Sequence, residues 1–461
     1  MSENYSYALP EPNEESRRLA AGWLILGISA LVAAGLLAIL LVLARTPYIK
    51  DIFPWENFFR TAMVVHVDLS VLMWFLPCAG IIWSYNSTRK HLKMGWAALY
   101  LAFIGTAIVV LSPFLGGGEP LMNNYFPVID SPAFLTGMIL FGIGFTLLVL
   151  RSLSLSASPI GPLTGGTAGL RIGIYTASLS SIVSVGTLVW AYFLIPGSIQ
   201  GWEYYELLFW GSGHVLQFTH TLLMIVVWLW MASVSGVRLT LSPRLASLIF
   251  VLGVVMILIT PYIYLSVDIT SVESQVWFTR LMTAGGGIAA LPFGLAIIVG
   301  MFLASPPSEQ DRVFRITLFH SLLLFGVGGV FGFMIRESST LITAHYHGSN
   351  GAITVAFMGL CYFLLPKLGF DKAQMNLAKI QIHAFGIGQL LHVLGLAWAG
   401  GYGMRRKIAG EGQSLDNFQQ TAGMALMGIG GLIAVIGGVL FLYIVVRAMW
   451  PHKKRPLNGV A

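Results

Sequence analysis

The chain has 461 residues, 56% of them hydrophobic and only 10% charged, with a mean hydropathy of +0.79. Charged residues make up about a quarter of an ordinary globular chain, so this composition excludes a water-soluble domain and makes lipid the main solvent. The two cysteines, Cys78 and Cys361, sit in apolar runs, which excludes a disulfide framework or a cysteine-bound metal. The net charge of +7 is scattered beside apolar segments, so it reads as membrane topology and not as a nucleic-acid partner.

A bilayer core about 30 Å thick takes about 20 apolar residues per helix. In chain order, a polar and acidic tail (1–18), unlike a cleaved signal peptide, precedes the first apolar run. Qualifying runs begin near Leu19, Arg60, Gly95, Pro132, Arg171, Leu207, Ser242, Phe278, Phe314, Leu341, Ile380 and Gln420. The expectation is an all-α integral membrane bundle of twelve transmembrane helices over 19–448. It forms one domain with a short tail at 449–461. With the N-terminus inside, the side opposite the termini receives Arg45, Lys50, Arg60, Arg280, Arg336, Arg405, Arg406 and Lys407, and the other Lys and Arg fall inside. That bias predicts cytoplasmic N- and C-termini in a bacterial-type inner membrane. The outer loops carry Glu119, Asp130, Glu203, Glu206, Asp268, Glu273, Glu411 and Asp416. These either dock a basic electron donor such as a cytochrome c or are ordinary solvated loop charges.

Ionisable groups inside transmembrane helices are costly and so are functional candidates. His66 in helix 2, His214 in helix 6, and His345 and His347 in helix 10 all lie early in helices that enter from the outer side. At 1.5 Å per residue, they share a layer roughly 8–10 Å inside the outer boundary. Residues two apart on a helix point about 200° from each other. His345 and His347 therefore cannot chelate one metal, but each can serve a separate cofactor. Neutral imidazole is a standard axial ligand of heme iron. His66 is at the right depth to complete one heme, which leaves His345 for a second, with His214 facing it. Arg405 and Arg406, at the outer end of helix 11, run against the positive-inside bias and suit heme propionates, because guanidinium binds carboxylate in bidentate fashion. His220, His320, His383 and His392 lie outside the layer and read as packed, and His91 and His452 fall in cytoplasmic segments. Asp68, two residues past His66, either belongs to a proton route or accepts a hydrogen bond from a neighbouring helix.

Three segments carry a family resemblance. "TAHYHGSNGAITVAFMGLCYFLLPK" (Thr343 to Lys367), "FWGSGHVLQF" (Phe209 to Phe218) and "GLAWAGGYGMRRK" (Gly395 to Lys407) together resemble subunit I of the heme–copper oxidase and nitric oxide reductase superfamily. The resemblance implies a low-spin heme held by His66 and His347 and a high-spin heme held by His345. It makes His214 the first ligand of a second metal and gives the propionates to Arg405 and Arg406. Departures are clear: the helix 7 stretch "LITPYIYLSVD" has no histidine, Phe218 stands where oxygen-reducing members often carry tyrosine, and "GGGIAALPF" replaces the helix 8 glutamate of nitric oxide reductases. One histidine does not hold copper or non-heme iron, whose sites use three or more protein ligands. The second metal site is therefore expected to be altered or lost. Glu119, after Gly116-Gly117-Gly118, resembles a loop glutamate that binds calcium between propionates. The implied function is a diheme respiratory oxidoreductase passing electrons to O2, NO or a related small molecule at the high-spin heme. The missing tyrosine favours nitric oxide or another small nitrogen or sulfur species. The alternative is a non-catalytic electron-transfer or gas-sensing subunit. With no cysteine-bound copper, electrons would arrive from an electron-donating subunit or a cytochrome c on the outer face, within a complex of further subunits. A transporter would show broken helices and paired half-repeats, and the single-layer histidines fit it poorly.

Overall fold

The computed structural model describes residues 4–43, 58–115, 118–154, 156–287, 289–406 and 415–450. Arg45, Lys50, Lys407, Glu411, His452, Lys453, Lys454 and Arg455, used in the charge reading, and Gly116 and Gly117 lie outside them. The spans are α1 (Glu14–Leu43), α2 (Phe58–Tyr85), α3 (Leu92–Phe114), α4 (Pro132–Leu153), α5 (Gly166–Leu194) and α6 (Gly201–Val234). They continue as α7 (Pro243–Ser266), α8 (Val272–Leu303), α9 (Arg312–Met334), α10 (Thr340–Leu364), α11 (Met375–Gly401) and α12 (Phe418–Met449). Eleven of these are long and apolar enough to cross a membrane. The other, α10, has 25 residues, but its first half holds Thr343, His345, His347, Ser349 and Asn350. Counting it, the described residues form the twelve helices read from the sequence.

Nearly every helix starts a few residues before its apolar run, because polar groups outside that run supply the first turn. Ser131 caps α4 by accepting from Phe134 N, Ser242 caps α7 through Leu245 N, and Asn417 caps α12 through Gln420 N. Three spans are interrupted: α2 at Val71, α7 by a 3-10 turn at Met256–Ile259, and α8 by a wide turn at Met282–Gly287.

The loops sort onto two faces. On the terminal face, Tyr5 N bonds Leu239 O, Lys367 pairs with Glu11 at 3.0 Å, Lys379 pairs with Glu309 at 2.8 Å, and buried Arg151 donates to Ser87 and Thr88. On the opposite face, Arg406 reaches Asn124 at 3.2 Å, Asn124 reaches Glu206, and Trp202 reaches Met122. Odd and even helices thus run in opposite senses. Sequence neighbours pack in pairs, α11 with α12, α3 with α4, α9 with α10 and α5 with α6, around the almost wholly buried α6. The α11–α12 contact is backbone on backbone. A Cβ on Gly395 would lie 2.3 Å from Met427 N, and one on Gly430 2.3 Å from His392 N. Small residues permit such an approach where lipid gives helices no hydrophobic reason to associate.

Candidate functional site

Phe75 of α2 meets Phe357 of α10 at 5.9 Å and His220 of α6 at 5.1 Å between ring centres. The three helices run in the same sense, so this contact sets a common level. His66 stands nine residues before Phe75, His347 and His345 ten and twelve before Phe357, and His214 six before His220. At 1.5 Å per residue, the four lie about 9 to 18 Å from that level toward the face opposite the termini, with His66 and His347 within about 2 Å of one height.

Two of these rings are pinned across helices. His66 Nδ1 lies 2.9 Å from Ala34 O of α1, and His345 Nδ1 lies 2.8 Å from Gly328 O of α9. A carbonyl can only accept, so Nδ1 carries the proton in both and the lone pair sits on Nε2. Histidines that ligate metals are commonly oriented in this way. His347 stacks edge-on against His392 at 4.8 Å, and His392 Nδ1 is held by Met427 O of α12 at 3.0 Å. The sequence reading placed His392 outside the layer. Its position becomes visible only once α11 packs on α10.

His214 is held differently. Its Nδ1 donates to Trp210 O, one turn back in its own helix, at 2.7 Å. Its ring is walled by Trp210 at 4.8 Å, Tyr125 at 4.9 Å and Phe278 at 6.1 Å. Tyr125 comes from a small hairpin between α3 and α4, with strands β1 (Glu119–Leu121) and β2 (Val128–Asp130). It fits only because residue 213 is glycine, since a Cβ there would stand 2.2 Å from its ring. Burial and then the Glu206 carboxylate push the Tyr125 hydroxyl well above its ordinary range, which keeps it protonated, and it bonds Gln217. On the far side Tyr264 of α7 packs edge-on against Phe278 and Trp190, its buried hydroxyl unpartnered and against Gly211. Phe218 is buried against Gly285. Among the described residues, no three His, Cys, Asp or Glu side chains stand together as a metal cage.

Arg405 is exposed, and its backbone bridges to Ser339; Arg406 is half-buried, held by Ser338 Oγ at 3.1 Å and Asn124 Oδ1. Both stand at the end of α11, above the histidine layer. Glu206, expected in a solvated loop, instead lies in α6, buried, accepting from Asn124 N at 2.9 Å and from the Asn124 side-chain amide. Glu203 likewise lies in the first turn of α6. Glu119 is exposed on β1, directly across from Asp130. Asp68 is buried on α2 with Oδ2 unpartnered. His320 and His383, read as separately packed, bond each other at 2.9 Å. Sequence reasoning also passed over Tyr125. Its one local signal was Gly213 beside His214, a position where another chain segment can approach closely.

A family model described as Cytochrome C and Quinol oxidase polypeptide I matches residues 18–440. An uncharacterised protein of Rickettsia prowazekii is 29% identical, over 95% of this chain and 98% of its own. An uncharacterised protein of Aquifex aeolicus is 28% identical over 76% of this chain and 85% of its own. Cytochrome c oxidase subunit 1 of Thermus thermophilus is 22% identical over 94% and 85%. Among solved structures, a heme-copper terminal oxidase dimer superposes with a TM-score of 0.71 at 16% identity, covering 96% of this chain and 85% of that one.

Proposed function

The chain belongs to the family of cytochrome c and quinol oxidase polypeptide I, and we propose that within it the protein is a diheme membrane oxidoreductase of a respiratory chain. The observation that carries this reading is the pinned tautomer of His66 and His345, which leaves each Nε2 as a lone pair fixed in direction by a neighbouring helix. His66 and His347, at matching height on α2 and α10, would hold the low-spin heme from both sides. His345, turned away from His347, would hold the high-spin heme from one side. Bound heme supplies one-electron transfer and, where one axial position stays open, a place for O2, NO or a related small molecule. Arg405 and Arg406 would take the propionate carboxylates.

His214 supports an altered or lost second metal site. Its Nδ1 is used within its own helix, three aromatic rings enclose it, and the α7 segment offers the phenol of Tyr264 where ligands would be needed. Asp68, with a buried unpartnered oxygen, suits a proton-holding role beside the low-spin site. Electrons would enter from an electron-donating subunit or a cytochrome c at the face of Arg405 and Arg406. That face would be the outer one of a bacterial-type inner membrane, with both termini cytoplasmic. The aromatic enclosure of His214 also favours a second reading, a heme relay or gas sensor without turnover.

Heme and metal quantitation on the purified protein, with reduced and reduced-plus-CO spectra, tests the proposal. Two hemes, one binding CO, without stoichiometric copper or non-heme iron, is the expected result. One heme or none overturns it, and steady turnover with a reduced donor rules out the second reading.

A further inference from the structure

Two shielded polar atoms at the seam of α9, α10 and α11 have no partner, Nδ1 of His320 and Oε1 of Gln389. His320 is 3% exposed, and its ring lies against Gly386 of α11, where a Cβ would come within 2.4 Å. Gln389 is three residues further along the same side of α11, and a Cβ on Gly351 of α10 would come within 3.6 Å of its side chain. Beside them Ser321 donates to Ala352 O at 2.7 Å and accepts from Trp228 at 2.8 Å, which ties α9 to α10 and α6 at this level. Buried polar atoms are almost always satisfied, and a buried water typically makes about three hydrogen bonds. Two orphaned atoms facing one seam mark a place for water.

The seam has an entrance and an end. Toward the terminal face, His320 Nε2 bonds His383 Nδ1 at 2.9 Å, and His383 stands on the outer side of α11, eight residues into its membrane-spanning stretch. It lies one turn from Lys379, whose ammonium Glu309 holds at 2.8 Å. Toward the opposite face, Gln389 is three residues from His392 and Gly351 is one turn from His347, and those two rings are 4.8 Å apart. From His383 to His392 is nine residues of α11, about 13 Å.

We propose that His383, His320, Gln389 and the water between them form a proton route from the terminal face to the pocket of His347 and His392. Imidazole takes a proton on one nitrogen and releases one from the other. A proton accepted at His383 Nε2 frees the Nδ1 proton for His320 Nε2. His320 then releases its Nδ1 proton to water held by Gln389 Oε1, and reversal of the two tautomers resets the pair. No electron moves in this step. Other ionisable groups nearby are engaged elsewhere: Lys379 and Arg312 with Glu309, Arg315 with Ser305 O and Ser235 O, and Tyr362 with Gln381. The destination, though not the water seam, rests on the reading of His347 as a heme ligand.

Two measurements test the route separately from that reading. A high-resolution cryo-EM map of the purified protein is expected to show water between His320 Nδ1 and Gln389 Oε1, and a dry seam overturns the proposal whether or not heme is bound. In proteoliposomes carrying a pH-sensitive dye, His320→Phe and Gln389→Leu are expected to slow reduction-linked proton uptake from the terminal side. The loss should be about a hundredfold, the scale set by a missing proton-transfer group, with heme spectra unchanged. Because both substitutions are internal, His383→Gln at the surface is the companion variant and is expected to slow uptake as well. Normal uptake in all three variants overturns the proposal, even if the water is seen. A wild-type protein without heme sinks the functional reading and leaves the map to judge the seam.

Discussion

His345 and His214 both lie on helices that enter from the face opposite the termini, about 9 Å apart in height, and their surroundings set them to different tasks. His345 gives its Nδ1 proton to a carbonyl of another helix, so helix packing fixes the direction of its free nitrogen. His214 gives the same proton to the carbonyl one turn back, a bond available on any isolated helix, and its ring is then closed in by Trp210, Tyr125 and Phe278. Depth in the membrane selects both residues as candidates. What separates them is the helix that anchors the ring and the groups that wall it.

The largest effect should come from the pinned set. His66→Ala or His345→Ala is expected to reduce heme from two per chain to one, measured by pyridine hemochromogen assay; two retained hemes would break the contrast at once. Tyr125→Ala removes the wall around His214 and should cost about 3–5 kcal/mol of unfolding free energy, as other buried aromatic truncations do, with heme content intact. A thermal melt followed by heme absorbance distinguishes this from heme loss. His214→Phe keeps an aromatic ring in the enclosure but enlarges it, and should cost about 1–3 kcal/mol while leaving heme and metal content alone. Loss of copper or iron in that variant would show that His214 is a ligand after all.

The smallest effect belongs to the terminal face. Hydrogen bonds from Lys379 and then Arg312 hold the Glu309 carboxyl below its ordinary range. A depressed carboxylate stabilises the fold at neutral pH, and that contribution is lost as pH falls through its lowered pKa. Glu309→Gln should therefore lower the melting temperature slightly at neutral pH, and the difference should vanish in acid. Both heme and His214 should be indifferent to it.

The helix order was legible because it follows from one-dimensional counting; the single depth expected of the four histidines was not, since the contact of Phe75, Phe357 and His220 spreads them over about 9 Å. The expected start near Leu207 against the observed Gly201 shows where that counting slips: polar first turns carry no hydropathy signal, and so Glu203 and Glu206 were assigned to a loop. Tyr125, His392 and the His320–His383 pair were missed for another reason. Each acquires its role from a contact with a segment far away in sequence, and neither periodicity nor hydropathy reports which helices become neighbours.

The clasp over the histidine layer has a consequence for synthesis. Asn124 meets Glu206 through 82 residues of intervening chain but meets Arg406 only after 282. A ribosome releasing the chain from its N-terminus completes the first contact midway and the second near the end. The contact between Asn124 and Arg406 is therefore made last, when eleven of the twelve helices have been synthesised, and a chain truncated before residue 406 forms only the Asn124–Glu206 half of it.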